Sequence, residues 1–176
     1  MNRRHFLGLA LSAATAPVFA AQKKNQAPRI LSLNHLHTNE QIDVVYRIGD
    51  CYQRDALKTL NRFLRDHYSG EVTVMDPRLY DLLYDLRRRA HEPDGQFEIF
   101  SAYRSASTNA MLRRKSRRVA KHSLHIKGKA LDLRLCGCSN RTTRDLAISL
   151  GRGGVGYYPR SGFVHLDTGP FRTWRA

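Results

Sequence analysis

The sequence predicts an α+β fold, a single domain with helices packed on a mostly antiparallel sheet that carries the chemistry. Three observations lead there. Two runs with apolar residues at helical spacing, Gln53 to Asp66 and Pro77 to Ala90, come early in the chain. Two runs with strict alternation, Lys129 to Leu135 and Phe163 to Asp167, come late. Helices first and a mostly antiparallel sheet after them is the α+β order.

The chain opens with MNRRHFLGLALSAATAPVFA, which has a charged start, an apolar centre from Phe6 to Leu11, then small residues and Ala20 where a signal peptidase would cut. Residues 1–20 are expected to be an export signal. Asn2-Arg3-Arg4-His5-Phe6-Leu7 is similar to the twin-arginine consensus, the address of proteins that cross a membrane already folded. An ordinary secretory signal with two chance arginines is the alternative. The apolar run is far shorter than the roughly 20 residues a bilayer needs, so no stable membrane anchor is expected once the signal is removed. Residues 21–28 are polar and expected to be a short flexible leader, and residues 29–176 form the domain.

Within that domain, Arg29 to Leu36 and Gln41 to Ile48 are strand-like runs around the turn-forming pair Thr38-Asn39, a hairpin. From Gln53 to Asp66, Leu57, Leu60, Phe63 and Leu64 form one apolar helical face. From Pro77 to Ala90, Leu79, Leu82, Leu83 and Leu86 form another, with Asp76 as N-cap and Pro77 in the first helical position. Phe97 to Tyr103 is a strand, after which Ser107 or Thr108 caps a short helix reaching about Arg114. Lys129 to Leu135 is a strand, Thr142 to Leu150 a helix stopped by Gly151, and Phe163 to Asp167 a last strand.

The whole chain carries a net charge of +15. Loss of residues 1–20 removes only Arg3 and Arg4, leaving 28 Lys and Arg against 15 Asp and Glu, a net +13. Such a charge would point to nucleic acid in a cytoplasmic protein. An exported one meets anionic cell wall and lipid head groups instead, so no nucleic-acid partner is expected. Three cysteines, Cys51, Cys136 and Cys138, are an odd number for an oxidising compartment. One bridge from Cys51 to either member of the Cys-Gly-Cys pair is expected, against three thiols without function. Zinc sites usually have wider Cys spacing and a second pair, so that pair is not read as one.

Alternation locates the chemistry. In Lys129 to Leu135 it puts Ala130, Asp132 and Arg134 on one face and Leu131, Leu133 and Leu135 on the other. The leucines face the core, so Asp132 faces a site, because a carboxylate in an apolar run needs an ion, a hydrogen bond or a metal. In Phe163 to Asp167, Phe163, His165 and Asp167 share a face; if the two strands are neighbours, His165 reaches Asp132. His125 lies seven residues before Asp132, with Gly128 permitting the turn that folds it back. Two imidazoles and one carboxylate are the protein ligands of a catalytic zinc, Zn2+, with a fourth position left for water. Such a site lowers the pKa of its water to about 7 and polarises a carbonyl, which suits amide hydrolysis.

The stretch Ser123-Leu124-His125-Ile126-Lys127-Gly128-Lys129-Ala130-Leu131-Asp132 resembles the S-x-H-x-x-G-x-A-x-D motif of zinc D-alanyl-D-alanine-type metallopeptidases, relatives of lysostaphin and the hedgehog signalling domain. Phe163-Val164-His165-Leu166-Asp167-Thr168-Gly169 resembles their second ligand motif, and the resemblance runs from about Leu31 to Trp174. It implies that His125, Asp132 and His165 hold the zinc, that the substrate is peptidoglycan, and that the protein is a periplasmic endopeptidase. The bonds implied are meso-diaminopimelate to meso-diaminopimelate and, second, D-alanine to meso-diaminopimelate. A D,D-carboxypeptidase and a non-catalytic cell-wall-binding module on the same fold are the alternatives.

Many family members carry His-x-His with a glutamate before it as base, whereas here Phe163 and Val164 precede His165-Leu166-Asp167. Asp167 is the expected general base, with a role in orienting His165 as the competing assignment. Arg104 is expected to hold a substrate carboxylate or the developing oxyanion, and Arg134 to join it in the cleft. The remaining histidines are expected to be structural or exposed, with His122 a loop residue near the cleft and His35 and His37 on one strand face. Gly151 to Gly156 lacks the residues of a phosphate loop and is expected to form a cleft wall, with Tyr157 or Tyr158 hydrogen-bonding substrate.

Overall fold

The computed structural model describes residues 27–116 and 119–176. The expected export signal and most of the expected leader lie outside the described residues. Eight strands form one sheet: β1 (Pro28–His35), β2 (Glu40–Ile48), β3 (Cys51–Tyr52), β4 (Phe97–Ser101), β5 (Ala130–Leu135), β6 (Gly154–Tyr158), β7 (Phe163–Asp167) and β8 (Arg172–Arg175). Their spatial order is β3-β2-β1-β4-β5-β7-β6-β8. Five of the seven pairings are antiparallel; β1 with β4 and β6 with β8 are parallel. The α+β architecture and the β1–β2 hairpin agree with the sequence, while strands rather than helices come first.

Four helices accompany the sheet: α1 (Arg54–Phe63), α2 (Arg78–Arg89), α3 (Ala106–Lys115) and α4 (Asn140–Leu150). Their leucines meet those of the strands in one core, in which Leu60, Leu79, Leu83 and Leu86 join Leu31, Leu33, Leu131, Leu133, Val164 and Leu166. Register explains the match, since Leu33 pairs with Phe97, Phe97 with Leu135, Ile99 with Leu133 and Leu131 with Leu166. The sheet thus has one apolar face under helices and leaves its other face for the site. Truncating a core leucine such as Leu133, fully buried, costs about 2–5 kcal/mol. Among the described residues no helix is long and apolar enough to cross a membrane.

Capping moves several helix boundaries. The cap of α3 lies two residues before Ser107, because the Ser105 hydroxyl, not that of Ser107 or Thr108, accepts the amide of Thr108 at 3.2 Å. Ser139 does the same for α4, accepting from the Thr142 amide at 3.1 Å, while Gly151 at φ 64° closes that helix as expected. At α2 the Asp76 carboxylate accepts the Arg78 amide at 3.1 Å, across Pro77. The cysteines are all free. The expected bridge fails on topology: Cys51 lies on β3 and Cys136 just after β5, four strand spacings apart in the sheet order. At about 4.8 Å per spacing that distance far exceeds disulfide reach.

Candidate active site

His125 is set in a single 3-10 turn, Leu124–Lys127, that the sequence pattern did not reveal. The Ser123 hydroxyl caps it by accepting the His125 amide at 3.3 Å, and Gly128 ends it in the left-handed region at φ 63°. A Cβ on Gly128 would stand 2.6 Å from the Val74 carbonyl oxygen, so no other residue fits this turn. His125 Nδ1 lies 2.6 Å from the Ala102 carbonyl oxygen. A carbonyl only accepts, so Nδ1 carries the hydrogen and Nε2 presents its lone pair to the centre.

Asp132 and His165 are direct cross-strand partners on β5 and β7. His165 Nδ1 is 2.8 Å from Asp132 Oδ1, His125 Nε2 is 3.3 Å from the same oxygen, and the two histidine nitrogens are 3.3 Å apart. All three residues are buried. Donors about 2.0–2.1 Å from a shared tetrahedral centre stand roughly 3.3 Å from one another, so the spacing of these atoms fits a zinc-sized ion. They are the one such cluster of His, Cys, Asp or Glu among the described residues.

Burial and the neighbouring groups shift all three residues from their ordinary values. Burial alone would raise the Asp132 carboxyl, but His125 and His165 outweigh it and hold the group well below the usual carboxylate range. Burial pushes His125 down, against the opposing pull of Asp132, and so favours its neutral, ligating form. For His165 burial acts downward too, yet hydrogen bonds to Asp132 and Asp167 raise it on balance.

Asp167 does not have the surroundings of a base. Fully buried, it faces His165 from the edge opposite Asp132, with Oδ2 3.1 Å from His165 Nε2. Its oxygens also accept from the amides of Gly154 and Gly169, each at 2.9 Å, and from both terminal nitrogens of Arg172 at 3.1 and 2.6 Å. Burial is outweighed by these bonds, which depress its carboxyl strongly. A carboxylate so saturated has little basicity, and these contacts favour the competing assignment, orientation of His165, over that of general base.

Arg104 does reach the cleft, a space of about 340 Å³ that it lines with His122, Tyr158, Phe163 and Trp174 around the His-Asp-His group. Its Nη2 donates to the Ser123 hydroxyl at 3.3 Å, while its buried Nε has no hydrogen-bond partner among the described residues. Arg134 does not line the cleft. It shares the face of Asp132 but lies two residues further along β5, a step of about 7 Å, where it is ion-paired to Glu98 and rests over the Phe100 ring at 5.6 Å. His122 is an exposed loop residue that also borders the cleft. His35 is fully buried on the core face of β1, and His37 is exposed beyond the strand's end, its amide donating to His35 Nδ1 at 3.3 Å. A wider notch of about 590 Å³, lined by Arg88, Arg89 and Arg152 among others, belongs to the helical side and holds no comparable ligand group.

Reasoning from sequence missed Ser123 as the cap of the ligand turn, and it missed β8, which brings Arg172 and Trp174 to the site. The available signal was the pair Gly154 and Gly156, alternate positions of a strand left without side chains. Against known proteins, residues 23–174 match the family model described as peptidoglycan L,D-endopeptidase MepK. Peptidoglycan L,D-endopeptidase MepK of Escherichia coli K12 is 45% identical over 179 residues, covering 98% of this chain and 97% of that one. The same protein of Shigella flexneri matches equally, with 45% identity and the same shares of both chains. Probable peptidoglycan L,D-endopeptidase MepK of Haemophilus influenzae is 40% identical over 178 residues, covering 99% of this chain and 96% of its own.

Proposed function

The chain belongs to the peptidoglycan L,D-endopeptidase MepK family, and from that premise we propose that it uses zinc, held by His125, Asp132 and His165, to hydrolyse cross-links of the cell wall. It is a peptidase of peptidoglycan, a murein endopeptidase. The observation that carries the metal assignment is the set of three buried donor atoms 2.8–3.3 Å apart. A zinc ion bound there would polarise the amide carbonyl and lower the pKa of a water to about 7.

The residues of the chain supply the rest. The Ala102 carbonyl and Asp167 each engage the outer nitrogen of one ligand imidazole, which fixes the tautomer and the aim of His125 and His165. Arg104 offers an unpaired buried Nε–H to the cleft, and a substrate carboxylate or the developing oxyanion would satisfy it. Phe163 and Tyr158, stacked at 4.6 Å, form an aromatic wall beside the centre. Asp167 is assigned to orientation of His165.

An L,D specificity corresponds to the bond between two meso-diaminopimelate residues, the first of the two cross-links implied by the sequence. The site of action is the periplasm, reached by the twin-arginine route addressed by Arg3-Arg4. Replacing both arginines by lysine should block export; unchanged processing would mean the ordinary secretory path. The enzymatic reading is tested by digesting purified cross-linked muropeptide dimers and monomeric pentapeptides side by side with the mature protein, with and without chelator. Dimers should be converted to monomers, with activity lost on chelation and in Asp132→Ala, and one zinc per chain should be measured by elemental analysis. Trimmed pentapeptide with intact dimers would mean a carboxypeptidase, and no turnover by zinc-loaded protein would mean a binding module.

A further inference from the structure

Cross-strand register places five positions in one row on the site face of the sheet. Ser101 pairs with Asp132, Asp132 with His165, His165 with Gly156, and Gly156 with Trp174. The glycine is the gap in this row. A Cβ at Gly156 would stand 2.5 Å from Cε2 and Cζ2 of Trp174, so the indole lies over the position where a side chain would be. From there its ring reaches that of His165, with centroids 5.1 Å apart. The row beside it repeats the device, since a Cβ at Gly154 would stand 2.5 Å from the Asp167 carboxylate and 2.6 Å from Arg172 Nη1. In both rows a side chain of β8 crosses a bare position on β6 to support a residue of β7.

We propose that Trp174 is a positioning residue of the metal centre, holding the His165 imidazole in its ligating orientation by packing across Gly156. Asp132 and Asp167 engage the two ring nitrogens of His165 from opposite edges, and the indole packs against the ring from across Gly156, the two planes tilted by 51°. The indole is held in turn. Its Nε1–H donates to the Tyr158 hydroxyl at 3.0 Å, and the Arg172 guanidinium lies over the ring at 5.1 Å. Arg172 thereby binds Asp167 and Trp174 together, so both supports of His165 share one anchor on the last strand. Support of a ligating histidine from outside the ligand set is worth about 10–100-fold in metal affinity.

The inference rests on the zinc assignment above, and its test separates the two. Trp174 is the one tryptophan of the chain, so its emission reports the site directly. Zinc alone is titrated into the metal-free mature protein, with emission followed for chains that keep the indole and competition against a chromogenic chelator giving the affinity of every variant. Wild-type emission should change and saturate at one zinc per chain. Trp174→Ala should weaken zinc binding by about 10–100-fold, and Trp174→Phe, which keeps an aromatic face, should restore most of it. Gly156→Ala should reproduce the loss while retaining the tryptophan, because Gly156 is outside the left-handed region and the three atoms nearest an added Cβ all belong to the indole. It also serves if Trp174→Ala does not fold. Wild-type zinc affinity in folded Trp174→Ala or Gly156→Ala would overturn the positioning role while leaving the zinc assignment standing. Failure of the wild-type protein to bind zinc would overturn both.

Discussion

Replacement of Asp66 by asparagine should destabilise the fold by an amount that depends on pH. Asp66 follows α1, is fully buried, and accepts the amides of Ser105 and Tyr68, each at 2.9 Å. It thereby fixes the corner from which Arg104 enters the cleft. Burial alone would raise its carboxyl, but hydrogen bonds from Thr108, Ser105 and Tyr68 outweigh it and bring the pKa from 3.8 to about 2. A depressed folded-state pKa contributes stability that is fully present above the unfolded value and is lost as pH falls through the folded one. The window is therefore between about pH 4 and pH 2. With about 1.4 kcal/mol per unit, the charge contributes about 2 kcal/mol at neutral pH, of which roughly half remains at pH 3. Asp66→Asn also turns a donor toward one of the two buried amides, so the total loss at pH 7 is about 2–4 kcal/mol. Urea unfolding of wild type and variant at pH 7 and pH 3 measures it. The gap between them should shrink by about 1 kcal/mol at the lower pH. A gap that is the same at both would refute the reasoning, because it would mean that the ionised carboxylate is not what the two amides recognise.

Asp167→Asn should weaken zinc binding by about 10–100-fold yet retain most of its turnover at saturating zinc; a loss of several orders of magnitude in zinc-saturated kcat would restore the general base role. Arg104→Met should lower kcat/KM on cross-linked dimers by about 10–100-fold, and the split between KM and kcat, read from steady-state kinetics, decides between holding a substrate carboxylate and stabilising the oxyanion. Asp81→Asn should cost about 2–3 kcal/mol in urea unfolding, because its carboxylate accepts from Arg29, Tyr46, Arg47 and Tyr52 at 2.5–3.1 Å and joins the first three strands to α2. A change under about 0.5 kcal/mol would mean that these bonds are exchanged for water at no cost.

The pairing of Asp132 with His165 was legible because alternation of period two fixes which residues share a face, and two short apolar strands in one domain are readily neighbours. Alternation could not say which imidazole nitrogen faces which carboxylate, so the contact of Asp167 with the outer edge of the ring was not legible. Distance along a strand was equally hidden. Arg134 has the right face, but Glu98 opposite it on β4 forms the ion pair that keeps it out of the cleft. Strand β8 escaped notice because four residues after Gly169-Pro170 offer no period to read, and their parallel pairing with β6 is a tertiary event. Strand β6 begins in glycines, which have low strand propensity, and its bare positions make sense only with Trp174 and Arg172 over them.

The place of β8 on the sheet also bears on when during synthesis the protein becomes competent. Many contacts of the fold are non-local: Leu33 pairs with Phe97, and the Thr168 hydroxyl donates to Asp76 across 92 positions of sequence. Topologies of this kind fold slowly, since each closure costs chain entropy before any contact repays it. A nascent chain that has emerged only as far as α4 already contains His125 and Asp132 but lacks His165, Asp167 and the strand that supports them. A chain that ends before β8 contains all three grouped residues but lacks Arg172 and Trp174 beside them. The order of the elements thus leaves the grouping of His125, Asp132 and His165 to the last third of the chain, after β1, β2, α1 and α2 have already been made.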